Sequence, residues 1–226
     1  MSNDDLLKDL FSTLQDCERF CFLTKAEEFQ LQSIKKLEFL KGRVLENKEK
    51  AISEKNEKMA NVLLSAEYAI EALISELKMW IELKNEGYDK AWDLLVTAQD
   101  CIRNSFQANA DTEFNFDGHS IKLFFIEKII FPKFAFLSPG LVIESTRCSI
   151  CNKNYDECTH IVGKAYMGKL CYQIVDKIKE IREVSIVESP ANKHARITSF
   201  TEDGITRDIL TWKEVKKHLN NKGVKI

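Results

Sequence analysis

Four cysteines and one histidine fall within a short stretch, spaced Cys148-x2-Cys151-x6-Cys158-x-His160-x10-Cys171. Thiolates and imidazoles are metal ligands, and a Cys-x2-Cys turn lets two sulfurs reach one ion while backbone amides support them. The spacing predicts one closed structural zinc site of four ligands drawn from these five residues. Cys148, Cys151 and Cys171 are three of them, and either Cys158 or His160 completes the set. The side chain left over either donates a hydrogen bond to a ligand or packs beside it. Open catalytic zinc sites favour histidine and carboxylate ligands, so a thiolate-rich set points to holding loops together rather than to chemistry on a substrate.

The rest of the composition narrows the setting. The 226 residues carry 33 basic and 35 acidic side chains, a formal charge of −2, so no global basic field attracts nucleic acid. The first ten residues, MSNDDLLKDL, are acidic where a signal peptide is basic, and no apolar run approaches the roughly 18 residues of a membrane span. The expected location is the cytoplasm, with no membrane contact. Thiols stay reduced there, which again favours metal over disulfides.

The elements that must position this cluster differ between the two halves of the chain. All three prolines and six of the eight glycines lie after Phe106. Before it, Met59, Leu63, Ala66, Ile70, Leu73, Leu77 and Trp80 recur at spacings of four and three, which lines one helical face. Tyr88, Ala91, Leu95, Ala98 and Ile102 repeat the pattern beyond Gly87, predicting an antiparallel hairpin broken at NEGY. Upstream, Leu7, Leu10, Leu14, Cys17 and Cys21 begin a stripe that Ile34, Leu37, Phe39, Leu40 and Val44 carry less regularly, predicting one longer third helix. Cys17 and Cys21 read as small core residues on that stripe. Most amphipathic stripes pack within their own bundle. The alternative is a coiled-coil-like seam for a protein partner, for which Leu10 and Leu14 are the candidate contacts. The charged run from Glu46 to Lys58 reads as a solvated helix or connector.

After Phe106 the pattern shortens. A turn at Asp117-Gly118 and apolar runs ending at Pro132 and Pro139-Gly140 predict short strands, with IKLFFIEKIIF also compatible with a buried helix. Asp203-Gly204 predicts a hairpin between ARITSF and ITRDIL, and Thr211 with Glu214 predicts the cap of a terminal helix WKEVKKHL. The expected fold class is therefore α+β: a helical hairpin or bundle over residues 1–105, then a small zinc-stabilised mixed domain over 106–226, with the zinc loop at 147–171.

The segment CSICNKNYDECTHIVGKAYMGKLC, followed by EVSIVESPANKHARI, resembles part of some tailed-phage prohead (capsid maturation) protease-like proteins. There a Cys/His module precedes a strand of the form E-V-S-hydrophobic-V-x-x-P-A-N. The resemblance covers roughly residues 138–197. It implies a serine nucleophile in a Ser-x-Gly turn, matched by Ser138 in FLSPG, with His119 as base and Glu183 as orienting acid. Pro139 directly after the serine and the short His119–Ser138 spacing depart from that pattern.

Three functions follow from these residues. The leading one is a non-enzymatic, zinc-stabilised interaction or adaptor subunit of a larger cytoplasmic complex, of phage or antiphage-defence type, with a protein partner on the helical part and an oligomer compatible with it. The second is a prohead-type serine protease using Ser138, His119 and Glu183. The third is a zinc-containing nucleic-acid module in which Arg147, Lys153, Lys164 and Lys169 meet phosphates and Tyr155 and Tyr166 stack on bases. No glycine-rich phosphate loop or zinc-deaminase pattern is present in the sequence.

Overall fold

The computed structural model of the chain describes residues 3–109 and 116–215. Five helices are followed by three small antiparallel sheets, so the fold is α+β. The helices are α1 (Asn3–Glu18), α2 (Glu27–Ser53), α3 (Glu57–Lys84), α4 (Tyr88–Ala108) and α5 (Phe116–Ile130). The strands are β1 (Phe136–Cys148), β2 (Ala165–Tyr166), β3 (Lys169–Leu170), β4 (Gln173–Val187), β5 (Ser199–Glu202) and β6 (Ile205–Asp208). Strand β1 pairs with β4, β2 with β3, and β5 with β6. Among the described residues no helix is long and apolar enough to cross a membrane.

The centre of the molecule is α3, whose apolar residues are buried nearly all round. Small side chains let α4 approach it closely: Ala60, Ala66, Ala69 and Ala72 on α3 meet Ala91 and Ala98 on α4 within one core. At the crossing the Ser65 and Ser105 hydroxyls lie 2.8 Å apart, and Ser105 also donates to the Ser65 carbonyl at 2.6 Å. The predicted hairpin is present, with its break at Asn85–Gly87. Asn56 caps α3 by accepting from the Met59 amide at 3.1 Å.

Four expectations change. The upstream stripe is two helices, not one. Residues 19–26 reverse the chain between α1 and α2, and the buried Gln30 amide holds the reversal by donating to the Phe20 and Phe22 carbonyls at 3.0 Å each. The charged run is not wholly solvated, because Lys48 is buried in an ion pair with Glu67 and Ala51 is in the core. Asp117-Gly118 lies inside α5, where IKLFFIEKIIF takes its helical alternative and carries the helical part past the expected boundary at 105. Thr211 and Trp212 form a turn onto Asp208, not a helix start, Glu214 forms a β-bridge with Arg207, and residues 216–219 of the predicted terminal helix lie outside the described residues.

A long ribbon is the other main feature. Strand β1, at about 3.3 Å per residue, runs for about 43 Å. That nearly equals the length of α3, about 42 Å at 1.5 Å per residue. The ribbon is fastened at both ends. At one end Phe136 joins Trp92, Phe131 and Phe134 in an aromatic cluster, and the Trp92 indole donates to the Lys193 carbonyl at 3.0 Å. Arg196 pairs with Asp89 and lies over the Phe134 ring. At the other end the Asn61 side chain donates to the Ala165 carbonyl at 3.3 Å and accepts from the Gly168 amide at 2.9 Å. Gly168 sits at φ +74 in the β2–β3 turn, a conformation strained for other residues, and an added methyl group there would press on the Ile52 side chain at 3.2 Å.

Candidate metal centre

The Cys/His segment is the far tip of the ribbon. Cys148 ends β1, and Cys171 stands two residues before β4 begins, so the intervening chain forms a knuckle that closes the hairpin. Local geometry shapes it. Asn152 takes a positive φ of 58°, and its amide donates to the Cys148 carbonyl at 2.9 Å, making the tight turn that Cys-x2-Cys requires. The Ile150 amide donates to the Cys148 sulfur at 3.3 Å. A 3-10 turn, Tyr155–Glu157, returns the chain to Cys158, whose sulfur accepts from the His160 amide at 3.2 Å.

The Cys148, Cys151 and Cys158 sulfurs and a His160 ring nitrogen all lie within 4.8 Å of one another, a cluster able to hold a metal ion. Cys151 and Cys158 are 3.6 Å apart, and Cys158 is 3.2 Å from His160 Nδ1. Cys171, the fifth candidate, is buried with its sulfur 3.8 Å from that of Cys148. Burial pushes the Cys148 thiol up, but the Cys151 and Ile150 amides and the Cys158 and Cys151 thiols outweigh it, leaving its pKa at about 6. Burial and the neighbouring Cys148 raise Cys171 to about 11. The amides thus favour a thiolate at Cys148, the anionic state a metal ligand needs.

The other candidate residues are placed as follows. The phenol oxygens of Tyr155 and Tyr166 accept the Val162 amide at 3.2 Å and the Ile161 amide at 3.0 Å, and Tyr166 packs edge-on to His160. Both rings therefore brace the knuckle. Arg147 is held by Asp176 at 2.7 Å and Asn152 at 3.1 Å, while Lys153, Lys164 and Lys169 are exposed. Ser138 lies in β1 opposite Ser185, with the Gly140–Glu183 pair next on the same face. His119 is elsewhere, on α5, its Nε2 2.7 Å from the buried Glu76 carboxylate. Among the described residues no hydrogen bond joins His119 to Ser138 or Glu183. Ser138→Ala is therefore expected to leave the melting temperature within about 1 °C and to change no labelling by a serine-directed fluorophosphonate probe.

Of the candidate partner contacts, Leu10 is fully buried in the bundle core and Leu14 is partly buried against the same core. Cys17 and Cys21 are core residues, as their stripe predicts, and burial raises both thiols. Two features escaped sequence reasoning. One is the buried network in which Glu76 receives His119, Lys122 at 2.8 Å and the Trp80 indole at 3.2 Å. The other is the exposed aliphatic face of the ribbon, visible only once the strand register is known. Comparison with known proteins returns no matching family, no matching curated protein and no matching solved structure.

Proposed function

We propose that this chain is a non-enzymatic interaction subunit whose contact surface is the β1–β4 ribbon, held in shape by a structural zinc ion at its tip. The observation that carries the reading is the ribbon's face. Leu137, Pro139, Leu141 and Ile143 of β1 stand opposite Ile186, Val184, Ile181 and Ile178 of β4. All eight side chains are exposed, Ile181 at 63% and Ile186 at 69%. An isolated two-stranded ribbon is marginal in water, and contiguous aliphatic patches of this size mark binding surfaces.

The zinc assignment rests on separations between candidate ligands. With Zn–S bonds of about 2.3 Å, two sulfurs on a tetrahedral ion lie about 3.8 Å apart. The Cys148–Cys171 and Cys151–Cys158 separations of 3.8 and 3.6 Å agree with this. A sulfur and an imidazole nitrogen on one ion lie about 3.6 Å apart by the same geometry. The 3.2 Å from Cys158 to His160 is shorter and matches a hydrogen bond to sulfur. On these separations we assign Cys148, Cys151, Cys158 and Cys171 as the residues that would hold the ion, with His160, which groups with the first three within 4.8 Å, at hydrogen-bond distance from the Cys158 sulfur. A zinc ion held there would supply a cross-link and no reaction step, tying the end of β1 to the start of β4.

The test is a photo-cross-linking residue placed at Val184 in cells that express the protein naturally. Cross-linked protein is expected at Val184 and not at the exposed, solvent-facing Lys50. Equal labelling at both positions sinks the reading.

A further inference from the structure

We infer that the occupant of the ribbon's aliphatic face is a second copy of the same chain, the two ribbons packing face to face into a four-stranded sandwich. This rests on the ribbon being the contact surface. Its other face is mostly polar, pairing Ser138 with Ser185 and Gly140 with Glu183. A sheet with one polar and one aliphatic face is half of a sandwich, and it lacks a second sheet about 10 Å away.

The chain has no such sheet to offer among its described residues. Strands β2 and β3 have two residues each, and β5 and β6 have four. Another copy supplies a ribbon of the same length and twist. None of the eight side chains carries a charge with which to select a different partner. Two register shifts in β4 keep it so: Arg182 and Lys179 are left without partners in β1, so that Val184, Ile181 and Ile178 stay on one side. An uncharged aliphatic surface is complementary to itself under a two-fold axis. The size also fits: eight half-exposed aliphatic side chains amount to roughly 700 Å², near the ~800 Å² per partner of a standard interface.

Sedimentation of the metal-loaded full chain is expected to give twice the chain mass at low micromolar concentration. Ile181→Lys and Leu141→Lys, each at the centre of the face, are expected to weaken the dimer at least ~100-fold with unchanged circular dichroism and metal content. Ser185→Lys, on the opposite face, is expected to stay dimeric. A wild-type chain that remains monomeric at about 100 µM overturns the inference, as does a dimer that survives both substitutions. The Val184 cross-link separates the two readings. A monomer that cross-links to a different protein ends the dimer and leaves the interaction surface standing. A monomer with no specific cross-link ends both.

Discussion

Protein stripped of metal by a chelator is expected to lose protection from hydrogen exchange and proteolysis at the ribbon tip, while the helical bundle keeps its ellipticity. The reason is local. The knuckle's turns are short, its backbone is largely exposed, and it has few buried apolar residues besides Cys148 and Cys171. Metal binding in such a segment is folding free energy, so the tip and the ion are lost together. The bundle has its own core through α3 and α4 and does not need the ion. Single substitutions identify the ligands. Cys148→Ser and Cys171→Ser are each expected to lower zinc affinity by about a thousandfold or more, because each removes a ligand. His160→Gln is expected to keep one zinc per chain and to weaken it only ~10–100-fold, the range for a residue that supports a ligand. Metal analysis and competition titration read both effects. If His160→Gln loses the ion and Cys171→Ser retains it, the ligand set is three cysteines and His160.

Glu76→Ala is expected to destabilise the bundle by about 3–5 kcal/mol. Glu76 is fully buried on α3 and receives His119 and Lys122 from α5 and Trp80 from its own helix. Its removal leaves the Lys122 ammonium and the His119 and Trp80 ring nitrogens facing a hole, and uncompensated buried charge is what makes such losses large. In a chain of this length the shift is about 10 °C in melting temperature. The pH dependence has a definite sign. Burial pushes the Glu76 carboxyl up, but His119 and Lys122 outweigh it and hold it below the ordinary carboxylate range. Its contribution is therefore complete above the unfolded value, about 4.3, and is lost as pH falls through the lower folded value. Thermal melts of wild type and Glu76→Gln should differ most near neutral pH and converge in acid. A gap that stays constant down to pH 3 would mean the carboxylate charge is not what stabilises the site.

What the sequence reveals and conceals follows from the range of each interaction. The α3–α4 hairpin is legible because its stripe repeats every three to four residues and ends at NEGY, both local signals. The break between α1 and α2 is not, because Gln30 makes it by reaching back ten residues to Phe20. Strand β4 hides for a related reason. Ile178, Ile181, Val184 and Ile186 are spaced by three, three and two, which resembles a helix until the two register shifts are seen. In α5 the run IKLFFIEKIIF is too uniformly apolar for period to decide between strand and helix. The candidate metal cluster is legible in residue type and spacing, but whether Cys158 or His160 completes it beside Cys148, Cys151 and Cys171 is a question that spacing leaves open, and distances between side chains group Cys148, Cys151, Cys158 and His160. Glu76 and His119 are 43 residues apart, and neither position signals the other.

The near-equal lengths of α3 and the ribbon make the molecule a frame of two rails with a fastening at each end. A frame restricts which insertions it can accept. One added turn of α3 lengthens that rail by about 5.4 Å, which strands of about 3.3 Å per residue cannot match with a whole number of residues. One residue added to each strand would also turn the aliphatic side inward, because side chains alternate along a strand. Only paired changes that add an even number of residues to each strand, about four residues of helix with two per strand or about nine with four, restore both span and facing. Length variants of this protein should therefore occur as coordinated sets or not at all, and a lone four-residue insertion in α3 should release one fastening, Trp92 or Asn61, rather than stretch the ribbon.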